Sequence, residues 1–149
     1  MSNFKPTARL LLSLFRTFEQ ALLQQLENRG VTNVTPSHLN ILRHLNNEGM
    51  KISQLAHDAA LSKQLVGRIV KELEQKGYLQ VLSDANDRRI KFVEYTPKGA
   101  ALITAATEIV TAIEQRYETA LGRDEYRHFR KQLALLTTLH STQSDHDDR

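Results

Sequence analysis

Seven bases fall between Ser62 and Lys91: Lys63, Arg68, Lys71, Lys76, Arg88, Arg89 and Lys91. Four acids stand against them, Glu72, Glu74, Asp84 and Asp87. The surplus in this one fifth of the chain equals the net charge of the whole, +3. These residue types suit a polyanion, and DNA in particular. An arginine can grip guanine with two hydrogen bonds, and a glutamine such as Gln64 can do the same for adenine. Lysines suit phosphates, as do the open backbone N–H groups at a helix start capped by Ser62. Charge alone would equally describe a solvated face, so the spacing carries more weight. Lys63, Gln64, Gly67, Arg68 and Lys71 recur three and four apart, on one side of a helix. Val66, Ile69, Val70 and Leu73 line the other side. Gly67 is the unexpected member, because glycine inside a helix costs about 1 kcal/mol relative to alanine. Close approach to bases or sugar would explain it, and so would tight packing on a neighbouring helix.

A charged turn follows, Asp84-Ala-Asn-Asp-Arg-Arg89. Asp87 can pair with Arg88 or Arg89 and hold one guanidinium, and a free arginine there would suit a narrow minor groove. In the simpler alternative Asp84 and Asp87 are turn formers and the arginines solubilise an exposed edge. A basic-faced helix and an arginine-tipped hairpin in immediate succession favour DNA.

The elements that must hold these residues can be read from caps and periodicity. Thr7 to Asn28 is a long amphipathic helix, with Leu11, Leu14, Phe15, Phe18, Leu22 and Leu26 at helical spacing and Leu10, Leu12 and Leu23 widening the apolar surface. Arg29-Gly30 ends it. Thr35-Pro36, a hydroxyl N-cap before proline, starts a second helix that turns Leu39, Leu42 and Leu45 inward and stops at Asn46 to Gly49. A third runs Ser53 to Ala60, with Leu55, Ala56 and Ala59 facing in. Ser62 caps a fourth, ending at Lys76, and Gly77 is placed as its left-handed C-cap. Tyr78–Leu82 and Ile90–Tyr95 form a hairpin. Thr96-Pro97 launches a helix to about Leu121. After Gly122-Arg-Asp124, Asp124 caps a last helix bearing Tyr126, Phe129, Leu133, Leu136 and His140 on one face.

The fold class expected is therefore mainly α with a small β-hairpin wing, a winged helix-turn-helix. Residues 35–96 would form the DNA-binding domain, 1–30 and 97–141 a helical dimerisation region, and 142–149 a disordered polar tail. A helix of about 24 residues spans ~36 Å, longer than the compact middle of the chain can cover. The economical solution is a symmetric dimer built from both chain ends, and the alternative is an intramolecular three-helix bundle.

Composition removes several functions. With no cysteine there is no disulfide, thiol switch or cysteine-ligated zinc. The six histidines form no His-x-x-x-His pair; His38 and His44 are six apart on different helix faces, and His146 among the tail aspartates would bind a metal only loosely. No phosphate loop, nucleophile elbow or carboxylate pair is recognisable, so no enzyme, no cofactor and no metal site is expected. The apolar cluster Leu10–Leu12 is too short for a membrane span and lacks a cleavage site, which makes a cytoplasmic location the default.

At three places the chain resembles the MarR family of bacterial winged-helix transcriptional regulators. Leu61–Leu79, LSKQLVGRIVKELEQKGYL, looks like the family's recognition helix with its closing Leu-Glu-x-x-Gly-Tyr-Leu. Asp87–Gly99, DRRIKFVEYTPKG, looks like its wing, although Tyr95 stands where leucine is usual. Thr35–Leu45, TPSHLNILRHL, is similar to the helix that opens the DNA-binding domain; the terminal helices match in pattern only. The resemblance implies a homodimer with recognition helices in successive major grooves and wings in the flanking minor grooves of double-stranded DNA. Ser62, Lys63, Gln64, Gly67 and Arg68 would be recognition-helix contacts, with Lys71 further along the same face, and Asp87 would orient Arg89 beside Arg88 at the wing tip. It further implies a repressor on a pseudo-palindromic operator, released by a small aromatic effector in a cleft for which Phe15, Arg16, Phe18, His38 and Tyr117 are candidates. Each of these has a simpler role: Phe15 and Phe18 fall on the core stripe, and Arg16 at the surface. A non-specific architectural DNA-binding protein is the alternative, and a winged helix used for protein contacts a third reading.

Overall fold

The computed structural model describes residues 4–143. Two compact units are present, Met1–Ile109 and Val110–Arg149. The first contains α1 (Thr7–Asn28), α2 (Pro36–His44), β1 (Met50–Lys51), α3 (Ile52–Ala59), α4 (Lys63–Gln75), β2 (Leu79–Ser83), β3 (Lys91–Tyr95) and the start of α5 (Pro97–Leu121). The rest of α5 and α6 (Arg123–Gln143) form the second.

The caps act where their residue types place them. Thr35 Oγ1 accepts the His38 N–H at 3.3 Å while His38 Nδ1 accepts the Thr35 N–H at 3.1 Å, a reciprocal capping box over Pro36. Ser62 Oγ accepts the Leu65 N–H at 3.2 Å. Gly77, at φ +82°, ends α4 as a left-handed cap, with its own N–H on Glu74 O at 2.9 Å and the Tyr78 N–H on Leu73 O at 3.0 Å. Thr96 Oγ1 accepts the Gly99 N–H at 3.1 Å and so caps α5, while donating to Gly77 O at 2.5 Å.

Elsewhere the boundaries move for identifiable reasons. Because the Tyr78 N–H is used by the α4 cap, the first wing strand starts at Leu79 rather than Tyr78. Ile90 belongs to the turn, its N–H on Asp87 O at 3.1 Å, so the second strand starts at Lys91. The third helix starts at Ile52, and Ala60 closes it in the left-handed region at φ 53°, a conformation costing a non-glycine residue roughly 1–2 kcal/mol. The last helix begins at Arg123, directly after Gly122 at φ +90°, which leaves Asp124 in its first turn rather than as its cap. It continues to Gln143, two residues past the expected end; the tail expectation for 144–149 lies outside the described residues.

The expected two-stranded hairpin is a three-stranded antiparallel sheet, order β1-β3-β2. Val93 pairs with Val81 on one side and with Met50 on the other. α2, α3 and α4 pack on one another, and α4 packs on β2. Leu39, Ile41, Leu42, Leu55, Val66, Val70, Leu73, Leu79 and Val93 are buried there. The Tyr95 hydroxyl, the departure from the family pattern, is shared between the carbonyl oxygens of Leu42 and Leu45 at 3.0 and 3.3 Å. Burial pushes this phenol up to about 12. The residue thus satisfies carbonyls at the end of α2, which leucine could not do. In the second unit Tyr117 and Tyr126 meet edge to face, ring centroids 6.4 Å apart.

Candidate nucleic-acid interface

Helix α4 separates its two faces cleanly. Val66, Ile69, Val70 and Leu73 are buried, whereas Ser62, Lys63, Gln64, Arg68 and Lys71 are exposed and Gly67 is half-buried. No ion pair among the described residues engages Lys63, Arg68 or Lys71. The two acids of the helix have partners: Glu72 takes the His38 ring at 2.8 Å, and Glu74 accepts the Val81 N–H at 3.2 Å. Leu65, beside Gln64, is half-buried.

Gly67 is now better defined. A Cβ built there meets nothing within 4 Å. Packing on a neighbouring helix of the same chain is therefore excluded as its cause. What remains of the two explanations is close approach of something outside the chain.

The wing tip is organised by its two aspartates. Asp84 Oδ1 accepts the N–H groups of Asn86 at 2.7 Å and Asp87 at 3.1 Å, an Asx turn, and the Asp84 N–H returns to Ile90 O at 2.9 Å. Asp87 selects Arg89 rather than Arg88. Its two oxygens take Arg89 Nε and Nη2, each at 3.1 Å, and Oδ1 also takes the Arg89 N–H at 3.0 Å. Both carboxyls lie below their ordinary value of 3.8, Asp87 through the Arg89 side chain first and Asp84 through the Asn86 N–H first. A carboxylate depressed in the fold contributes above the ordinary carboxylate range and loses that contribution as pH falls through the lowered value. At neutral pH the pair is therefore intact. Arg89 is held side-on yet is 91% exposed, and Arg88 is exposed beside it.

All nine candidate residues thus fall into two solvent-facing groups: Ser62 to Lys71 on α4 with its cap, and Asp87 to Arg89 on the wing. Of the effector-cleft candidates Arg16 is exposed, and the other four are placed as follows. Phe15 lies under the Arg43 guanidinium, 5.2 Å from centroid to Cζ, Phe18 is half-buried, Tyr117 faces Tyr126, and His38 is a buried structural residue. The part played by His38 was partly readable, because Thr-Pro-Ser-His has the spacing of a capping box with histidine in the glutamine position. Its partner Glu72, 34 residues on, left no sequence signal. Among the described residues no group of three or more histidines and acids could hold a metal ion, and no helix is long and apolar enough to cross a membrane.

A capped helix with one basic face, followed by a glycine cap and an arginine-tipped sheet, defines a winged helix-turn-helix DNA-binding protein. Residues 32–90 match the model of the MarR family. The chain is 28% identical to the HTH-type transcriptional regulator TcaR of Staphylococcus aureus (strain Newman) over 128 residues, which cover 84% of this chain and 83% of that one. It is also 28% identical to the HTH-type transcriptional repressor MdtR of Bacillus subtilis (strain 168), over 77% of this chain and 73% of that one. The fold matches the crystal structure of a mutant MarR from E. coli complexed with operator DNA, with a TM-score of 0.73 at 20% identity, covering 88% of this chain and 93% of that chain. The matched stretch is the DNA-binding region, and over it the chain resembles MarR-family transcriptional regulators. Both of these relatives are HTH-type transcriptional regulators.

Proposed function

We propose that this protein is a repressor that occupies a pseudo-palindromic operator as a homodimer. Residues 35–96 would read DNA, and 1–30 with 97–141 would hold the two copies together. Ser62, Lys63, Gln64, Gly67, Arg68 and Lys71 enter the major groove or touch its phosphates, and Asp87 presents Arg89, beside Arg88, to the adjacent minor groove. The observation that carries this reading is the α4 face, where three cations without a carboxylate partner surround a glycine that nothing in the chain requires. The dimer is supported by apolar surface on the terminal helices. On α1, Leu10, Leu11, Leu12, Leu14 and Phe15 are each at least 40% exposed, and on α6, Leu135 and Leu136 are 60% and 47% exposed. Large apolar side chains left exposed in such number on each helix are what an interface would cover. The spacing of the two recognition helices then sets the half-site separation at about one helical turn. A small aromatic effector would release the operator by favouring a different spacing, without touching the DNA-contacting residues.

Gly67→Ala separates stability from function. It should stabilise the fold by about 0.4–1 kcal/mol, since α4 gains helix propensity and a Cβ meets no clash. The same methyl should weaken DNA binding, because it stands where the DNA backbone or a base approaches. A thermal melt and a gel-shift titration check the two signs; a variant that melts higher and binds as well as wild type counts against the α4 face.

Arg68→Ala should lose about 1–3 kcal/mol at one base pair and relax the preference there. Arg89→Ala should weaken selected and random DNA alike and reduce the salt slope by about one unit. Fluorescence anisotropy across a salt series reads both effects. Wild-type behaviour of both variants would remove the assignment.

A further inference from the structure

His38 is the polar side chain in the buried class among the described residues, 2% exposed. Both of its ring nitrogens are committed. Nδ1 accepts the Thr35 backbone N–H, which requires a lone pair on that nitrogen. The proton of the neutral ring therefore lies on Nε2, where it is donated to Glu72 Oε2 at 2.8 Å. One ring thus closes the cap of α2 and grips α4. Glu72 directly follows Lys71 and lies four residues, about one helical turn, beyond Arg68.

We infer that the His38–Glu72 hydrogen bond is a tether that fixes the rotation of α4 about its own axis, which makes His38 a positioning residue for sequence discrimination. The inference rests on the reading of α4 as the helix that reads DNA. Apolar contacts at Val66, Ile69, Val70 and Leu73 hold the helix against the core, but apolar attraction is non-directional. A charge-assisted hydrogen bond from a buried ring supplies the missing direction. Bidentate contacts to a base edge tolerate only a few tenths of an ångström and weaken steeply with angle. Flexible lysines on phosphates tolerate more, and their attraction carries no sequence information. Loss of the tether should therefore appear in selectivity and much less in overall DNA affinity.

Glu72 itself provides the controlled comparison. Glu72→Gln and Glu72→Ala remove the same negative charge, so both shift general DNA affinity equally, but only glutamine keeps an acceptor for His38 Nε2–H. His38 provides a second pair. Glutamine places an amide donor near the Nε2 position, whereas asparagine reproduces only the Nδ1 side that caps Thr35. The measurement is the ratio of affinities for a duplex enriched by the wild-type protein from a random library and for a random duplex, by anisotropy on full-length protein, with melting temperatures as a control for folding. The tether predicts that Glu72→Ala loses about fivefold in this ratio relative to Glu72→Gln, the size expected for one neutral hydrogen bond. It also predicts that His38→Gln keeps more of the ratio than His38→Asn, even if it melts lower. Equal ratios for the two Glu72 variants, in a protein whose wild type is selective, would overturn the tether alone. A wild type that enriches no duplex would overturn the DNA-reading role of α4 and the tether with it.

Discussion

A protein carrying Leu10→Glu and Leu14→Glu together is expected to stay folded, become monomeric and lose operator binding. The two leucines lie one helical turn apart on α1, 54% and 40% exposed, so glutamate there costs the single chain little. Two glutamates in an apolar interface, however, would have to be desolvated without partners. Each winged helix would still touch a half-site, but the second would no longer be presented at a fixed distance. Linked binding exceeds single-site affinity by about 10²–10⁴-fold, and the loss should fall in that range. Analytical ultracentrifugation gives the oligomeric state, circular dichroism the fold, and a gel shift the affinity. Leu135→Glu on α6 should behave in the same way if both terminal helices build the interface. A folded monomer that binds with wild-type affinity would show that one copy suffices.

Gly99→Ala is expected to produce the largest change in stability. A Cβ at Gly99 would stand 1.9 Å from the Tyr78 carbonyl oxygen and 3.2 Å from Tyr95 Cδ1. The first obstacle is backbone, and that carbonyl is already engaged by the Thr96 N–H at 3.1 Å. Either α5 lifts from the start of β2, or the Thr96 cap and the Gly77 turn it grips are disturbed. Overpacking of this kind costs about 3 kcal/mol, roughly 6–12 °C in melting temperature for a chain of this size. Since α5 connects the wing to the rest of the chain, the same variant should also bind DNA more weakly. Differential scanning calorimetry measures the first effect. A melting temperature within 2 °C of wild type would mean that α5 has room the structure does not show.

Much of the layout was legible because local chemistry and global fold agree. Thr35-Pro36, Ser62, Gly77 and Thr96-Pro97 each mark a helix boundary by what their side chains or backbone can do, and each does it in the structure. The basic face of α4 was legible for the same reason, since a period of 3.6 places Lys63, Gln64, Gly67, Arg68 and Lys71 opposite the buried stripe. Strand β1 was not. Two residues, Met50 and Lys51, carry no periodicity, and their pairing with Val93 and Phe92 is a long-range choice. Gly49 hints at it only afterwards, at φ +83° with a would-be Cβ 2.6 Å from the Phe92 ring. Ala60 was illegible because nothing in its type favours the left-handed region it occupies. For Gly67 the sequence left two explanations open, and only the empty space around it removed one. The stripe on α1 was readable as apolar, yet Leu22 and Leu26 are buried within the chain while Leu11 and Leu14 are not. A periodic pattern says which side seeks cover and not whose atoms provide it.

Selection of DNA from a random library by the wild-type protein, followed by sequencing, tests the central claim most directly. Two copies of α4 held at a fixed distance should recover an inverted repeat whose half-site centres lie about 10–10.5 base pairs apart. Duplexes recovered without a shared motif would instead describe an architectural protein, and no recovery even at low salt, where phosphate attraction is strongest, would contradict the assignment of the α4 face to DNA.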